Sequence, residues 1–470
     1  MQKRLFAYAV LFSVGLVLAA SAAAQNETRT PDVVPMNQPV NTIQPAPAVI
    51  FRPQGSIITP QSSIARPEDA GLRAHTNVLI FVPAGRSLAT SNPDYTFAET
   101  PASLGCVYGI GPIYTGCNPA TGGTNHPSGG WGVIAIVDAY NNPHAAADLA
   151  TFSSQYGLPA ANFTKVSANT SFGALNGFSA SCSGTPPNDT GWGLEEDLDI
   201  EWAHAMAPDA KILLVEACSN SYNDLFFAEQ VAGIKIPHLG SGGQISNSWG
   251  GSEFSGEVGA VDDVFYRYSW EQITYFASAG DSGWGAAYPS SSPWVVSAGG
   301  TTVNRDVSGN FVSESCWSGS GGGVSQYELW QTPPVITNGM GPWSSYQFPL
   351  AALGARMTPD LSFDADPNSG AYVYDSFGYG GWVVVGGTSL SSPALAGIVN
   401  FSNNRLGQAP TGGGNYSAEE NTFIYSQLST HRYTANFYDV TTGSNGSGHN
   451  AVAGYDQCTG VGTPRGKLGK

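Results

Sequence analysis

Charged residues are scarce in this sequence. They make up 11% of its 470 residues, against ~25% in an average soluble protein. Basic residues are the scarcest, with 18 Lys and Arg against 35 Asp and Glu and a net charge of −17. Because phosphate binding needs a basic surface, this balance argues against nucleic acid or an anionic membrane as a partner. An acidic balance also keeps an exported protein soluble, so composition alone does not indicate adaptation to acid.

The sequence has a single long apolar run, from Leu5 to Ala20, preceded by Lys3 and Arg4 and followed by small residues up to Ala24. A membrane-spanning helix needs ~18 or more apolar residues, and this run is shorter. Its charged start and A-x-A end are typical of a secretory signal peptide, residues 1–24. We therefore expect a secreted, extracellular protein.

No C-x-x-C pair occurs, which argues against zinc-ribbon and thioredoxin-like folds. The six cysteines form an even number in an exported chain, so up to three disulfides are expected. Cys106 with Cys117 is the favoured pair because it closes a short glycine-rich loop. Cys182 with Cys218 would bracket an acidic helix described below.

The composition and the hydrophobic periodicity of the chain change near residue 100. Residues 25–99 are rich in Pro, Gln, Asn, Thr and Ser without sustained periodicity, and are interpreted as a poorly packed leader or short pro-segment. Residues 100–470 alternate apolar strands with amphipathic helices, which predicts one α/β domain whose parallel sheet is covered by helices on both faces. The predicted elements are strands Val133–Val137, Ile212–Val215, Gln244–Ser248 and Ile273–Ala277, and helices Ala145–Tyr156, Leu194–Met206 and Val258–Gln272.

A candidate nucleophile lies in the string Gly386-Gly387-Thr388-Ser389, which is followed by Pro393 and an apolar helix. The glycines allow a tight turn, and a serine at a helix N-terminus is close to N–H groups that favour developing negative charge. A serine in this position is often only a helix N-cap. The longer string G-T-S-x-x-x-P resembles the nucleophile motif of subtilisins and sedolisins.

None of the seven histidines stands in the H-G-T-H-like string that supplies the base in subtilisin-like enzymes. Glu195 and Asp199 can replace it, since a separation of four residues places both carboxylates on one helix face. Their proximity would raise one pKa and suit Glu195 as general base, with Asp199 orienting it. Glu196, Asp197 and Glu201 are interpreted as a solvated acidic face.

The acidic helix, the following Ala207-Pro208 and the string Ala277-Ser278-Ala279-Gly280-Asp281 together resemble the sedolisin family of serine-carboxyl peptidases. The resemblance implies a subtilisin-like fold over roughly residues 100–464. It also implies that Asp281 stabilises the oxyanion, where subtilisin-like chains carry an asparagine. A carboxyl group can donate a hydrogen bond only when protonated. Burial raises an aspartate pKa above ~3.9, so we expect activity to be lost as pH rises through roughly 5 to 6.

The family resemblance also implies a C-terminal calcium-binding loop region. Its expected Ca²⁺ ligands are the side chains of Asp439 and Asp456 and the carbonyl groups of Val440, Val452 and Gly454. Carboxylates and carbonyls on a bent, glycine-rich chain are the oxygen ligands that calcium prefers.

The function expected from these motifs is a secreted, monomeric endopeptidase that cleaves protein or peptide substrates at acidic pH. Two alternatives stay open. One is a catalytically silent secreted binding protein on the same fold. The other is a neutral subtilisin-like protease that uses Asp138, at the end of a predicted strand, although a turn aspartate is the simpler role there.

Overall fold

The computed structural model describes residues 49–240, 242–266, 273–329, 347, 354–402 and 416–466. The predicted signal peptide, residues 1–24, lies outside this range. Within the described residues, no helix combines the length and the apolar character needed to cross a bilayer.

The strands of the described residues are numbered in chain order. They are β1 Gly55–Ile58, β2 His75–Thr76, β3 Leu79–Pro83, β4 Val133–Ala139, β5 Asn162–Ala168, β6 Lys211–Ala217, β7 Gly243–Asn247, β8 Trp249–Ser252, β9 Ile273–Ser278, β10 Ala287–Tyr288, β11 Val296–Arg305, β12 Phe311–Cys316, β13 Gly323–Leu329, β14 Ala355–Thr358, β15 Leu361–Asp364, β16 Ala371–Asp375, β17 Gly381–Gly386, β18 Phe437–Tyr438 and β19 Thr463–Pro464.

The helices are numbered in the same way. They are α1 Pro101–Val107, α2 Ala145–Tyr156, α3 Thr190–Met206, α4 Tyr222–Leu239, α5 Glu257–Tyr266, α6 Thr388–Phe401, α7 Tyr416–Gln427 and α8 Tyr433–Asn436. The helix predicted over Val258–Gln272 corresponds to α5, which has π-type hydrogen bonding. Residues 267–272 of that prediction lie outside the described residues.

The central sheet has eight strands in the described chain, in the order β12-β11-β9-β7-β4-β6-β5, with β15 also paired to β11. All neighbours in it are parallel except β12, which is antiparallel to β11. In the β4–β6 pair, Asp138 lies opposite Glu216. The carboxyl ends of parallel strands meet at one edge of a sheet, which is the usual place for a site in this architecture.

Helices cover both faces of the central sheet. On β4, Ile134 and Ile136 point to a core shared with Leu198 of α3 and Leu395 of α6. The alternate residues of β4 point to a second core that includes Phe227 of α4. Both sets are buried, as expected for an apolar strand with helices on each side. The predicted two-sided α/β fold is confirmed.

The described part of the expected leader, residues 49–99, packs with the residues that follow it. Strand β3 lies between β1 and β17 in a four-stranded antiparallel sheet. Ile80 and Phe81 of β3 are buried in the larger core. The change in composition near residue 100 therefore does not mark a packing boundary in this part of the chain.

Three disulfides join the six cysteines. Cys106–Cys117 and Cys182–Cys218 match the two pairs that the sequence favours, and the third bond is Cys316–Cys458. The second disulfide brackets α3, and the third links the end of β12 to the C-terminal loop.

Candidate active site

Ser389 lies in the first turn of α6, directly after β17. Gly387 between these elements has φ +102°, a conformation that glycine adopts without strain. The Ser389 hydroxyl donates to the Ser248 carbonyl oxygen over 3.1 Å and accepts a hydrogen bond from the Asn77 N–H over 3.1 Å. The Ser389 N–H donates to the Asn77 carbonyl oxygen, also over 3.1 Å. Ser389 is fully buried.

Helix α3 brings two carboxyl groups to this serine. Asp189 caps the helix by accepting the N–H groups of Gly191 and Trp192, which fixes where the helix begins. One turn separates Glu195 from Asp199, and both are fully buried. Glu195 and Asp199 therefore lie on one face of α3, as their spacing in the sequence predicts.

Asp199 and Ser389 are linked through Ser248. The Ser248 hydroxyl lies 2.7 Å from Asp199 Oδ1 and 3.2 Å from the Ser389 carbonyl oxygen. Burial raises the pKa of Asp199 well above its usual range, and the charges of Asp138 and Glu195 raise it further. Ser248 directly follows β7, at the sheet edge where sites of this architecture form.

Glu195 faces the hydroxyl groups of Ser389 and Thr76. Burial raises its pKa well above the usual range and the charge of Asp138 adds to the rise, whereas the Ser389 hydroxyl lowers it. Neither Glu195 oxygen has a hydrogen bond of standard geometry among the described residues. A carboxyl group in such surroundings holds a proton in acid and can exchange it with a neighbouring hydroxyl.

Asp138 belongs to the same group of carboxyls. It is an internal residue of β4, not a turn residue, and it is fully buried. Its pKa is raised by burial and then by Glu216, and its own charge raises the pKa of both Glu195 and Asp199. Asp138 thus joins the carboxyl network, and it is not the turn residue that the sequence analysis favoured.

The expectation that Glu196, Asp197 and Glu201 form a solvated face is wrong. All three are fully buried because α2, α6 and β16 cover the other sides of α3. Burial raises the pKa of each well above its usual range. The neutral acid is the form that is inexpensive to bury without a charged partner.

Asp197 also contributes to a cluster that was not predicted. One carboxylate oxygen each from Asp148, Asp197 and Asp375 lies within 4.8 Å of the others, a spacing that a metal ion could bridge. Serine and backbone groups already bond two of its members: Ser376 donates to Asp148, and the Gly378 N–H donates to Asp375.

Asp281 lies just beyond the end of β9, next to the start of α6. Its Oδ1 accepts the Thr388 N–H over 2.7 Å and the Thr388 hydroxyl over 2.9 Å. Its Oδ2 has no partner among the described residues. Burial raises the pKa of Asp281 to about 7, against the lowering effect of the Thr388 hydrogen bonds. In acid, Oδ2 is therefore available to carry a proton and donate it in a hydrogen bond.

The C-terminal loop brings Asp439 next to Gly454. The Gly454 N–H donates to Asp439 at 3.1 Å, and the Tyr433 hydroxyl lies 3.1 Å from Asp439 Oδ1 and 3.4 Å from the Gly454 carbonyl oxygen. Burial and then the charge of Asp439 raise the pKa of Tyr433, and the charge of Asp456 adds to the rise. Asp439 and one expected carbonyl ligand, that of Gly454, therefore lie close to a single hydroxyl group.

Asp456 is held by backbone donors. It accepts the N–H groups of Val452, Cys458 and Thr459 at 2.8–3.0 Å. Val440 packs against Cys458 in a small separate core that also contains Cys316. The third disulfide therefore anchors the expected calcium region to the rest of the chain.

Comparison with known proteins identifies similar chains. A model of the subtilase family matches residues 179–411. Kumamolisin from Bacillus sp. (strain MN-32) is 30% identical over 363 residues, which cover 71% of this chain and 58% of that protein. Sedolisin from Pseudomonas sp. (strain 101) is 29% identical over 235 residues, which cover 44% of this chain and 36% of that protein.

A solved structure of Pseudomonas sedolisin, a serine-carboxyl proteinase complexed with two molecules of pseudo-iodotyrostatin, is also similar. It has a TM-score of 0.58 at 25% identity, over 78% of this chain and 95% of that one. The matches to kumamolisin and sedolisin span 58% and 36% of those curated proteins.

Proposed function

We propose that the chain belongs to the sedolisin family of serine-carboxyl peptidases and that it is a secreted endopeptidase that hydrolyses peptide bonds in acid. The observation that carries the proposal is the set of groups around Ser389. Glu195 faces its hydroxyl, Asp199 is linked to it through Ser248, and Asp281 binds the adjacent Thr388 N–H. The bases beside this serine are carboxylates.

In the proposed reaction, the Ser389 hydroxyl attacks the carbonyl carbon of the scissile peptide bond and Glu195 accepts its proton. Asp199 and Asp138 keep Glu195 basic enough to take that proton, because their proximity opposes a second negative charge. The Ser389 N–H and the protonated Asp281 donate hydrogen bonds to the oxyanion. Glu195 then passes its proton to the leaving amine, and water hydrolyses the ester.

Export is part of the proposal. The N-terminal residues 1–24 have the pattern of a signal peptide, and three disulfides are typical of chains that fold outside the cytosol. Acid surroundings would also keep the buried carboxyls of α3 neutral. We propose that the enzyme is a monomer and that its substrates are proteins and peptides.

We also propose that calcium binds at the C-terminal loop. The ligands would be the carboxylates of Asp439 and Asp456 and the carbonyls of Val440, Val452 and Gly454. The donor set suits this ion, since all of the atoms are oxygens and Tyr433 already gathers Asp439 and Gly454 at one point. Bound there, the ion would supply positive charge between two carboxylates.

The activity is tested by incubating the secreted full-length chain with denatured casein across a pH series. We expect fragments in acid, none from Ser389→Ala, and normal cleavage by Ser391→Ala. Ser391 is a matched control because it is buried on the same helix and its hydroxyl bonds only to the Phe363 carbonyl among its described partners. Undiminished cleavage by Ser389→Ala, or no cleavage by the wild type at any pH, would reject the proposal.

A further inference from the structure

An ion pair lies at one side of the central sheet, next to the carboxyl network. Strand β5 is the last strand on this side of the described sheet, and it pairs with β6, which pairs with β4. Lys165 Nζ of β5 is 2.8 Å from Glu216 Oε1 of β6. Glu216 lies opposite Asp138 of β4 in the strand register. The three side chains therefore form a row that runs from the network toward the sheet edge.

All three side chains of this row point to the face of the sheet that α3 covers. Ile136 and Leu214 belong to the core on that face. Side chains two residues apart on a strand share a face, so Asp138 and Glu216 point the same way. Lys165 lies opposite Leu214, and residues opposite each other in paired strands also share a face. The row therefore lies beneath the helix that carries the proposed base.

The ammonium group of Lys165 is fixed by three acceptors. It donates to Asn141 Oδ1 over 2.8 Å, to the Asn142 carbonyl oxygen over 2.7 Å and to Glu216 Oε1 over 2.8 Å. The Asn142 N–H also donates to Glu216 Oε1, over 3.1 Å. The Glu216 side chain is 0% exposed and that of Lys165 is 30% exposed. A buried carboxyl group is thus held by a cation whose own side chain reaches the surface.

The other ionisable groups that face Asp138 are carboxyls. They are Glu216 on β6 and Glu195, Glu196 and Asp199 on α3. Lys165 supplies the positive charge that acts on Glu216 and Glu196, and it lowers the pKa of both. Helix α6 and strand β7, which also adjoin β4, carry no charged side chain, and α4 packs on the opposite face.

Glu216 is the carboxyl of this row that loses its proton more readily. Burial raises its pKa, but Lys165 and the Asn142 N–H lower it, so the rise is smaller than that of Asp138. Neither oxygen of Asp138 has a partner of standard geometry among the described residues, and the charge of Glu216 raises its pKa beyond the effect of burial. Asp138 is in turn the charge that acts most on Glu195. A charge at Glu216 therefore reaches the base through Asp138.

We propose that Glu216, held by Lys165, is a positioning residue for the peptidase reaction: its carboxylate keeps a proton on Asp138, so that the negative charge of the network rests on Glu195 and Asp199. The proposal rests on the peptidase function above and adds two residues to it. Neutral Asp138 can donate a hydrogen bond to a neighbouring carboxylate. Without the charge at Glu216, Asp138 competes for the negative charge, and a smaller fraction of the enzyme carries a free base.

The test compares pH profiles of kcat/KM on one quenched peptide that has no ionisable side chain, with full-length preparations that digest casein. Glu216→Gln keeps the shape of the side chain and removes its charge. Its maximum is expected to fall about tenfold and its acid limb to move about one unit to lower pH, the size of shift that a neighbouring like charge causes. Its rate at the lowest pH, where Glu216 is protonated in the wild type too, is expected to be unchanged.

A second variant tests the ion pair itself. Lys165→Met leaves Glu216 buried without its cation, and a buried carboxyl without a charged partner takes up a proton. It is therefore expected to reproduce both changes. The double variant Lys165→Met/Glu216→Gln is expected to shift no further than Glu216→Gln alone. Lys211→Met is the matched control, because Lys211 begins the same strand and donates to the Leu239 carbonyl at the other end of β6. Its profile is expected to match the wild type.

The shape of the profile separates positioning from a structural role. An equal loss of kcat/KM at every pH in Glu216→Gln, with the acid limb in place, would overturn the proposal. Shifts that add in the double variant would overturn the pairing of the two residues. Both results would leave the peptidase function standing, because the wild type still digests casein. A wild type that cleaves neither casein nor the peptide at any pH would overturn the function together with the proposal.

Discussion

Two acidic regions of the molecule, the carboxyl network beside Ser389 and the C-terminal loop, differ in the hydrogen-bond donors that reach their carboxyl groups. Within the described chain, neither oxygen of Asp138 or Glu195 has a hydrogen-bond partner of standard geometry. In the C-terminal loop, by contrast, Asp456 accepts three backbone N–H groups and Asp439 accepts the Gly454 N–H. Donors stabilise a carboxylate, and burial without donors favours the neutral acid. The first region, the proton-holding region, lacks the donors that stabilise a carboxylate. The second region supplies such donors, although burial still raises the pKa of Asp456.

The largest expected effect is the loss of catalysis when carboxyl groups of the first region are replaced by amides. Glu195→Gln and Asp199→Asn keep the shape of the neutral acid and remove its ability to transfer a proton, so each is expected to lower kcat/KM by about 10²- to 10⁴-fold. Glu196→Gln is the matched control, since the charges that shift the pKa of Glu196 are those of Glu216, Asp138, Asp197 and Lys165, whereas the Ser389 hydroxyl acts on Glu195. Steady-state kinetics on one peptide substrate measures all three. A larger loss of kcat/KM in Glu196→Gln than in Glu195→Gln would show that Glu195 is not the base.

The second expected effect is on folding stability. Burial raises the pKa of Asp138, Glu195 and Asp199 above the unfolded value near 4, so the folded chain binds more protons than the unfolded chain. The stability from these groups is fully present below pH ~4 and is lost as pH rises through the folded-state values. The melting temperature is therefore expected to fall from acid toward neutral pH.

A variant pair sharpens this stability test. Asp138→Asn removes one group from the titrating set and is expected to flatten the dependence of the melting temperature on pH. Asp209→Asn, at an exposed position, removes one charge without changing the buried set and serves as the control. A melting temperature that rises toward neutral pH, or equal slopes in both variants, would contradict the account of this region.

The smallest expected effect is in the C-terminal loop. Excess chelator is expected to lower the melting temperature, because an ion that binds only the folded chain stabilises it by mass action. Asp439→Asn is expected to remove most of the chelator's effect and to leave the pH dependence of stability unchanged, since Asp439 lies outside the proton-holding region. An identical melting temperature with and without chelator in the wild type would argue against calcium at this site.

The sequence was sufficient for the parts of the site that depend on local spacing. The spacing of four residues between Glu195 and Asp199 places them on one face of α3, and the strand and helix pattern predicts the covered parallel sheet. Burial of Glu196, Asp197 and Glu201 could not be predicted in this way. It depends on α2, α6 and β16, which are distant along the chain and cover the remaining sides of the helix.

The position of Asn77 is the clearest case of a long-range contact that local patterns do not contain. It bonds to Ser389, 312 residues away, from a segment whose composition predicts poor packing. The sequence analysis did not place Asp138 beside Glu195 and Asp199 for a related reason. Its importance comes from Glu216 on the neighbouring strand and from α3 above it, and neither is near it in sequence.

The central claim is that a buried carboxyl group beside Ser389 acts as a proton-bearing donor, and the pH profile of kcat/KM tests it most directly. With the Asp281 pKa raised to about 7, wild-type activity is expected to fall as pH rises through that value, somewhat above the range expected from sequence. Asp281→Asn supplies a neutral amide donor at every pH, so its alkaline limb is expected to move to higher pH, even if its maximum is lower. A wild-type optimum at about pH 8 would contradict the account, because an aspartate of pKa about 7 is mostly ionised there. An alkaline limb that does not move in the Asn variant would also contradict it.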